Sequence, residues 1–500
     1  MVQSSDTWVL DDWIEEVNVT KLRLFVAIWV AKVAYLGISM LGRTGSYLPG
    51  EIALRLMPKL LWELPKPGRV IVVTGTNGKT TVTNLVVDTL EAQGMATINN
   101  RNGSNTDSGV ASALIRGLTW MGRVKSEVAV LEMDERSARR ILPGIAPQLL
   151  VCTNLTRDSV KRNAHPEYIS WIMTNAIPEE TKLIVNADDL ICANIGSETH
   201  TRILFGVDEL PDEADTPSGV GLDLAICPNC DTLLRWDYWR FNHIGRARCP
   251  TCGFSSPRAD YKVTAVDYAN KTVELDLAGA PAKAPLLNDA LVNIYNQIAA
   301  IAVLDQFGLP RDRILASFEH LSVPSTRYHC QLVGDVTLVR QLTKGVVGVA
   351  CSRAFESIMA AKGTKALVMN IDEATDVRND CENTCWVYDA DYEYLADPSL
   401  RRVVIGGVRR HDQALRLAIA GVDPAIIETI AQERHSADAI DLTGIERVYN
   451  LHSVHNAIST GDYVQARLLE RLGNRVRAVA TENESDITNS HAPTKAQPWQ

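Results

Sequence analysis

The most constraining stretch of this chain is an apolar run that gives way to a glycine-bracketed loop and then to a helical pattern. Val70-Ile71-Val72-Val73 precedes Gly75-Thr76-Asn77-Gly78-Lys79-Thr80, which leads into Thr81-Val82-Thr83-Asn84-Leu85-Val86-Val87. That order predicts strand, loop and helix. A helix start carries unpaired N–H groups and the positive end of the helix dipole, so it attracts phosphate. Gly75 and Gly78 let the backbone approach closely, Lys79 can reach β/γ oxygens, and Thr80 can ligate Mg2+. The loop is shorter than the usual P-loop, because the earlier glycine position falls on Val73. The candidate nucleotide set is therefore Gly75, Thr76, Asn77, Gly78, Lys79, Thr80 and Thr81, with ATP and Mg2+ as its ligands. The alternative is a βα turn that uses glycines for shape alone.

With 500 residues, the chain has room for about two to four domains. Its 46% apolar content can fill large cores. A net charge of −10 counts against a broad nucleic-acid surface, which needs a basic face. Ten cysteines, four in a metal pattern and six scattered, suit a reducing cytosol. Asp6, Asp11, Asp12, Glu15 and Glu16 at the start do not fit a secretory signal. Leu22–Leu41 is apolar apart from Arg23 and Lys32 and is about as long as a membrane span. Lys32 would then lie mid-bilayer, which is costly. The expectation is a helix packed on the body of the protein, with peripheral membrane contact as the second reading.

Residues 1–65 read as an N-terminal helical segment. Residues 66–323 alternate strands with helices, at Val70–Val73, Val128–Leu131, Leu149–Thr153, Lys182–Val185 and Ile203–Phe205, which predicts an α/β domain with a parallel sheet. Val207–Gly219 reads as a loop. A cysteine-rich insertion covers about 224–256. Tyr261–Val266 and Thr272–Leu277 alternate like strands, and Asn288–Phe307 is helical in pattern. Val323-Pro324-Ser325 reads as a hinge into a second α/β domain at 324–480, with strands at Thr337–Val339, Ala366–Asn370 and Arg402–Ile405. Residues 481–500 are polar and aperiodic, which predicts disorder.

Val128-Ala129-Val130-Leu131-Glu132 ends a buried strand in an acid, a common way to hold Mg2+ beside a phosphate loop. Asp134 lies close by. The alternative role for these acids is to cap a helix beginning near Glu135. Cys227-Pro-Asn-Cys230 and Cys249-Pro-Thr-Cys252, with 18 residues between the knuckles, match a structural Zn2+ site. Four thiolates close the metal shell, so this site folds a module and leaves no open position for substrate. Disulfides are the alternative. His243 is surplus to the shell, and Trp236, Tyr238, Trp239 and Phe241 are expected to form the module's core.

Taken together, these segments resemble a known family. Gly75–Thr81 with Glu132, Asn154 in Thr153-Asn154-Leu155, Asn186-Ala187-Asp188-Asp189 and Asn293-Ile-Tyr-Asn296 resemble the central ATPase domain of the Mur ligases. Ala31-Lys32, Gly42-Arg43-Thr44-Gly45, Leu48-Pro49-Gly50, the inserted four-cysteine ribbon, and Asp412–Leu417 with Ala420-Gly421-Val422 resemble the MurT subunits of lipid II isoglutaminyl synthase. The likeness spans roughly 20–470. It implies a Mur ligase-type P-loop ATPase domain, a zinc ribbon and a C-terminal Rossmann-like domain.

The resemblance also implies a reaction. ATP would activate the D-glutamate α-carboxyl of the lipid II stem peptide as an acyl phosphate. Ammonia from a GatD-type glutamine amidotransferase would then give D-isoglutamine. Lys79 and Glu132 would act at the phosphates, and Asn296, with Asn293 beside it, would help hold the nucleotide base. Helix capping or surface polarity is the alternative for both asparagines. An acid among Asp380, Glu382 and Asp389 would complete the partner's Cys–His site, and surface acids are the alternative there. The implied location is cytoplasmic, with lipid II met at the inner face of the membrane and no nucleic-acid partner.

The C-terminal half departs from the family pattern. The family's Gly-Arg-x-Glu appears as Thr326-Arg327-Tyr328-His329, and its Leu-x-Lys-Asn-Pro as Leu342-Thr343-Lys344-Gly345-Val346. Arg327 and Lys344 remain candidates for contacting phosphate. Two other readings compete. One is a stand-alone Mur- or folylpolyglutamate-type ligase, which wants a lysine and a histidine such as Lys161 and His165. The other is a nucleotide-binding scaffold that has lost its coupling.

Overall fold

The computed structural model describes residues 6–101, 103–157, 165–219, 221–322, 328–345, 347–372, 384–453 and 460–474. The hinge at Val323-Pro324-Ser325, Lys161, Arg327, Asp380, Glu382 and the tail over 481–500 lie outside these residues. The described residues form two compact units: 6–156, 165–217 and 222–322 in the first, and 157, 218, 219, 221 and 328–474 in the second.

The first unit opens with helices α1 (Asp6–Met40), α2 (Leu48–Leu56) and α3 (Leu60–Glu63). Among the residues of α1 with described side chains, from Val19 on, one face is covered. Ala27, Ile28, Ala31 and Lys32 are buried, whereas Leu22, Phe25, Trp29, Val33 and Met40 are exposed. The expectation of a helix packed on the body therefore describes one side of α1.

After α3, strand β1 (Arg69–Thr74) leads into α4 (Lys79–Ala92). Five of its six residues are buried, as expected of a parallel strand covered on both faces. Then come β2 (Thr97–Asn99), α5 (Asp107–Arg116), β3 (Val128–Glu132), α6 (Ala138–Ile145), β4 (Leu149–Cys152), α7 (Pro166–Thr174), β5 (Lys182–Asn186), α8 (Leu190–Ala193) and β6 (Arg202–Val207). An antiparallel hairpin of β7 (Arg235–Phe241) and β8 (Ile244–Arg248) forms the ribbon. Strands β9 (Tyr261–Asp267), β10 (Thr272–Leu277) and β11 (Ala280–Pro285) precede the long buried helix α9 (Leu291–Phe307).

The large sheet runs β11-β10-β9-β6-β5-β4-β1-β3-β2. The expected parallel strands are present, but β10 pairs antiparallel with both β9 and β11, so one end of the sheet is mixed. Strand β1 lies between β3 and β4, so the loop that follows it opens at a switch in strand order, the usual ligand position in such sheets.

The second unit carries β12 (Tyr328–Val333), β13 (Val336–Thr343), β14 (Lys365–Asn370), β15 (Leu400–Gly406), β16 (Ile427–Ile430) and β17 (Arg447–Ser453), in the order β12-β13-β17-β14-β15-β16. All pairs are parallel except β12–β13. Alternate residues face opposite apolar layers: Leu367 and Met369 belong to one, Ala366 and Val368 to the other.

Candidate active site

The loop after β1 owes its shape to its two glycines. Gly75 has φ +126° and Gly78 has φ +89°. A Cβ on Gly75 would lie 2.1 Å from Thr153 Oγ1, and one on Gly78 would lie 2.1 Å from Asn296 Oδ1. Neither position admits a side chain. Gly78 is also the N-cap of α4, so no side chain caps the first N–H groups of that helix. They stay available to an anion.

The end of β4 fastens this loop. Asn154 grips Asn77 at both ends of its residue, with Oδ1 accepting from Asn77 N at 3.1 Å and Nδ2 donating to Asn77 O at 3.0 Å. Thr153 Oγ1 donates to Asn77 O at 2.5 Å. Thr76 N donates to Asn154 O at 2.8 Å, and Thr76 Oγ1 donates to Thr156 O at 3.0 Å. The side chain of Thr76 therefore braces the loop from behind.

Lys79 Nζ lies 2.9 Å from Glu135 Oε1, with the two side chains 12% and 9% exposed. Burial works against the ammonium, but the nearby Glu135 carboxylate, helped by Glu132 and Asp134, outweighs it and raises the pKa above the ordinary lysine value. Glu135 Oε1 also accepts from Gly75 N at 3.0 Å. Glu132 stands on the other side of the loop. Thr80 Oγ1 donates to its Oε2 at 2.9 Å, and Asn105 Nδ2 approaches its Oε1 at 3.4 Å. Asn100 clamps the Glu132 backbone, accepting from N at 2.7 Å and donating to O at 2.8 Å. A hydroxyl and a carboxylate side by side are hard oxygen donors that suit a small divalent cation.

The structure thus brings Gly75, Thr76, Asn77, Gly78, Lys79, Thr80 and Glu132 together, with Thr81 in the first turn of α4. Asp134 takes the capping role, its Oδ1 accepting from Arg136 N at 3.1 Å. Asn296 is buried against Gly78, and its Nδ2 donates to Asn293 Oδ1 at 3.2 Å. Neither asparagine caps α9, whose N-cap is Ala290. Sequence reasoning missed Glu135, Asn105 and Asn100. The signal for Glu135 was an acid three residues past the acidic strand end. The asparagines join the site only through the fold.

In the second unit, Asp389 pairs with Arg157 at 3.0 Å. The carbonyl of Lys344 accepts from Val347 N at 3.0 Å, closing the turn before the next helix. His165 is the N-cap residue of α7 in the first unit, and its Nδ1 lies 3.9 Å from Glu167.

The Sγ atoms of Cys227, Cys230, Cys249 and Cys252 all lie within 4.8 Å of one another, and all four cysteines are free of disulfides. Zn–S bonds of about 2.3 Å in a tetrahedron would set sulfurs about 3.8 Å apart, so the donor set suits zinc. The N–H groups of Cys252 and Thr251 favour the Cys249 thiolate, whereas its cysteine neighbours push the Cys252 thiol up, because thiols this close compete for a single negative charge. Trp236 and Trp239 fill the ribbon's apolar core as expected, but two neighbours do otherwise. Phe241 packs on the main core, and Tyr238 Oη donates to Val207 O at 2.9 Å and lies 3.2 Å from Asp188 Oδ1.

The ribbon is rooted in charge. Arg240 reaches Asp188 at 3.1 Å and Glu213 at 2.6 Å, and donates to the carbonyls of Val207 and Asp208. His243 is fully buried, with Nε2 3.0 Å from Asp189 Oδ1. The other oxygen of Asp189 accepts from Leu155 N at 2.6 Å, beside the Asn154 that grips the phosphate loop. Hydrogen bonds from His243 to Asp189 to Leu155, and then the peptide to Asn154, therefore link the ribbon to the glycine loop.

A glycine loop at a sheet switch point, facing a strand-end acid, is the arrangement expected of a Mur-type ATP-dependent ligase, and the sequence matches that class. Residues 73–215 match the Mur ligase middle domain, and residues 347–454 match the MurT ligase C-terminal domain. The chain is similar to the MurT subunit of the glutamine-hydrolysing lipid II isoglutaminyl synthase of Staphylococcus aureus, at 30% identity over 430 residues, covering 85% of this chain and 94% of that protein. The Streptococcus pneumoniae subunit of the same name is 28% identical over 406 residues, covering 80% and 88%. The chain belongs to the MurT family. Its fold is shared with a pseudomurein peptide ligase type C from Methanothermus fervidus, at a TM-score of 0.59 and 18% identity over 84% of each chain.

Proposed function

We propose that this chain is the ATP-using half of an amidating enzyme. It activates the α-carboxyl of D-glutamate in the lipid II stem peptide as an acyl phosphate. Ammonia from a GatD-type glutaminase partner then displaces phosphate, leaving D-isoglutamine. Kinship is the observation that carries this reading. The S. aureus relative, of which the chain covers 94%, is named as a subunit of a glutamine-hydrolysing lipid II isoglutaminyl synthase. A subunit implies a partner, and a lipid-linked acceptor brings a cytoplasmic enzyme to the inner face of the membrane.

The chemistry asks for charge neutralisation and alignment, because a carboxylate and a triphosphate repel each other. The N–H groups at the start of α4 would hold the phosphates, and Lys79 would leave Glu135 for a terminal phosphate oxygen. Glu135 would keep its bond from Gly75 N. Thr80 and Glu132 would hold Mg2+, whose charge offsets that of the phosphate oxygens when it is bound. Asn296, with Asn293 behind it, would meet the base. Zn2+ on the four cysteines would be structural. Asp380, Glu382 and Asp389 are the candidates for completing the partner's Cys–His site, and Asp389 would have to leave Arg157 to do so. Arg327 remains a candidate phosphate contact.

The test is an assay of the purified chain with its glutaminase, lipid II, ATP, Mg2+ and glutamine, read by mass spectrometry of the stem peptide. The expected result is one amidated carboxyl per ATP consumed, dependent on the partner. Ligation of an amino acid to the acceptor without any partner would overturn the proposal in favour of a stand-alone ligase.

A further inference from the structure

We infer that the exposed face of α1, together with the cationic cavity beside it, is a docking surface for a bilayer that carries anionic phospholipid. Between Leu24 and Met40 the only charged residue of α1 is Lys32, and it points inward. Apart from Arg23 near its start and Ser39 near its end, the outward face is apolar, from Leu22 (64% exposed) through Phe25, Trp29, Val33 and Leu36 to Met40 (85% exposed). Val19–Met40 is long and apolar enough to cross a membrane by length and composition. It is nevertheless held sideways: Ala27, Ile28 and Ala31 are buried, and α1 packs on α2 and α5. A span would strip that packing and place Lys32 in hydrocarbon. A helix with one face committed to its own domain and the other apolar lies in the interface plane.

Charge identifies the occupant. The acids of α1 stop at Glu16, and from Lys21 onward every charged residue of the helix is basic. Lys21 and Arg23 flank one end of the apolar run, and Arg43 lies just beyond the other. Alongside is a cavity of about 140 Å3 lined by Lys32, Arg116 and Lys125, with Tyr35, Leu36 and Trp120 among its apolar walls. These three cations donate to main-chain carbonyls: Lys32 to Leu118 O at 2.7 Å, Arg116 to Asn99 O at 2.9 Å and Lys125 to Arg116 O at 3.1 Å. Among the described residues, none of them forms an ion pair with a carboxylate. Leu36 and Trp120 are both exposed and belong to the cavity wall, and Trp120 also meets Trp29 of the apolar face at 4.8 Å between rings. Apolar surface bordered by indole rings and cations that lack carboxylates matches acyl chains beneath phosphate headgroups.

Flotation of the full chain with phosphatidylcholine vesicles, with and without phosphatidylglycerol, tests this. Binding should require the anionic lipid and weaken in high salt. Trp29→Glu with Val33→Glu should reduce binding at least tenfold, while circular dichroism and melting stay unchanged. Lys125→Glu should reduce it a few-fold, and only at low salt. Inorganic phosphate alone should not compete. No flotation with any vesicle would overturn the proposal, as would equal binding to the neutral vesicles. So would concentration-dependent self-association that Val33→Glu abolishes in the absence of lipid, because a second copy would then be the occupant. The assay contains neither nucleotide nor partner, so its failure would leave the ligase reading intact.

Discussion

Two buried ion clusters in the first unit use the same kinds of side chain to opposite ends. At the root of the ribbon, the N–H groups of Arg240 face Asp188, Glu213, two carbonyls and the hydroxyl of Tyr295. Asp188 in turn accepts from Val207 N at 2.9 Å and from Tyr295 Oη at 2.7 Å. Nothing there is left for a ligand. In the glycine loop after β1, Lys79 donates to one carboxylate, Glu135, and to the carbonyl of Gly75, and that carboxylate also serves Gly75 N. A saturated cluster fastens two pieces of chain. A cation that shares one acid, next to uncapped helix N–H groups, can be passed to an incoming anion. The difference lies in the acids: Arg240 is held by two carboxylates and Lys79 by one.

Lys79→Ala should have the largest effect. Amidation is expected to fall by about a thousandfold or more, with a smaller loss of stability than Arg240→Met causes, because a single acid, Glu135, loses its cation and it keeps its bond from Gly75 N. An equal collapse of stability would make the pair a fastening like the other one. Arg240→Met should behave in reverse. It leaves Asp188 and Glu213 buried without their cation and should cost about 3–5 kcal/mol of stability in urea melts, with activity per folded molecule preserved.

Next in size is a pH effect. Burial opposes the charge of His243, but Asp189 and Asp223 outweigh it and raise its pKa above the ordinary histidine value. The stability it contributes is complete below the unfolded value of about 6.5 and is lost as pH rises through the folded one. The difference between the native chain and His243→Gln should therefore shrink with rising pH, from about 1–3 kcal/mol. A difference that grows with pH would mean a neutral imidazole. His452 in the second unit should run the other way. Burial holds it at about 4, and its Nε2 accepts from Arg340 Nε at 3.0 Å. Its contribution is present above about 6.5 and is lost as pH falls toward 4. The smallest effect is expected of Glu135→Gln. It frees Lys79 without removing it, so calorimetry should show ATP binding tightened several-fold, and weaker binding would mean that Glu135 aims the lysine.

The sequence was most legible where chemistry demands fixed residue types at fixed spacing. The loop from Gly75 to Thr80, the acid ending β3 and the four cysteines stood out in the sequence because phosphate and zinc sites call for patterns of that kind, and the fold brings each set together. Glu135 lay within reach of the pattern, three residues past the strand-end acid, but Asn100 and Asn105 were hidden because only the fold brings them to Glu132. Strand β17, Arg447–Ser453, lies mid-sheet yet escaped the strand pattern, because Asn450, His452 and Ser453 occupy buried positions that usually read as apolar. Asn450 is tolerated there through bonds to Gly461 O at 3.2 Å and Gln465 Oε1 at 3.1 Å, which no periodicity reveals. The helical nature of α1 was plain from composition, but not the side that stays bare.

The outer strand β11 has a consequence for the life of the chain in a crowded cell. It bears Pro281 and Pro285, which have no N–H to offer, with Lys283 between them. The opposite border of that sheet is β2, only three residues long. A stray strand from an unfolded neighbour finds no template along either border. The nine-stranded sheet is therefore finished against amyloid-like zippering, and heat-induced clumping should begin elsewhere in the molecule.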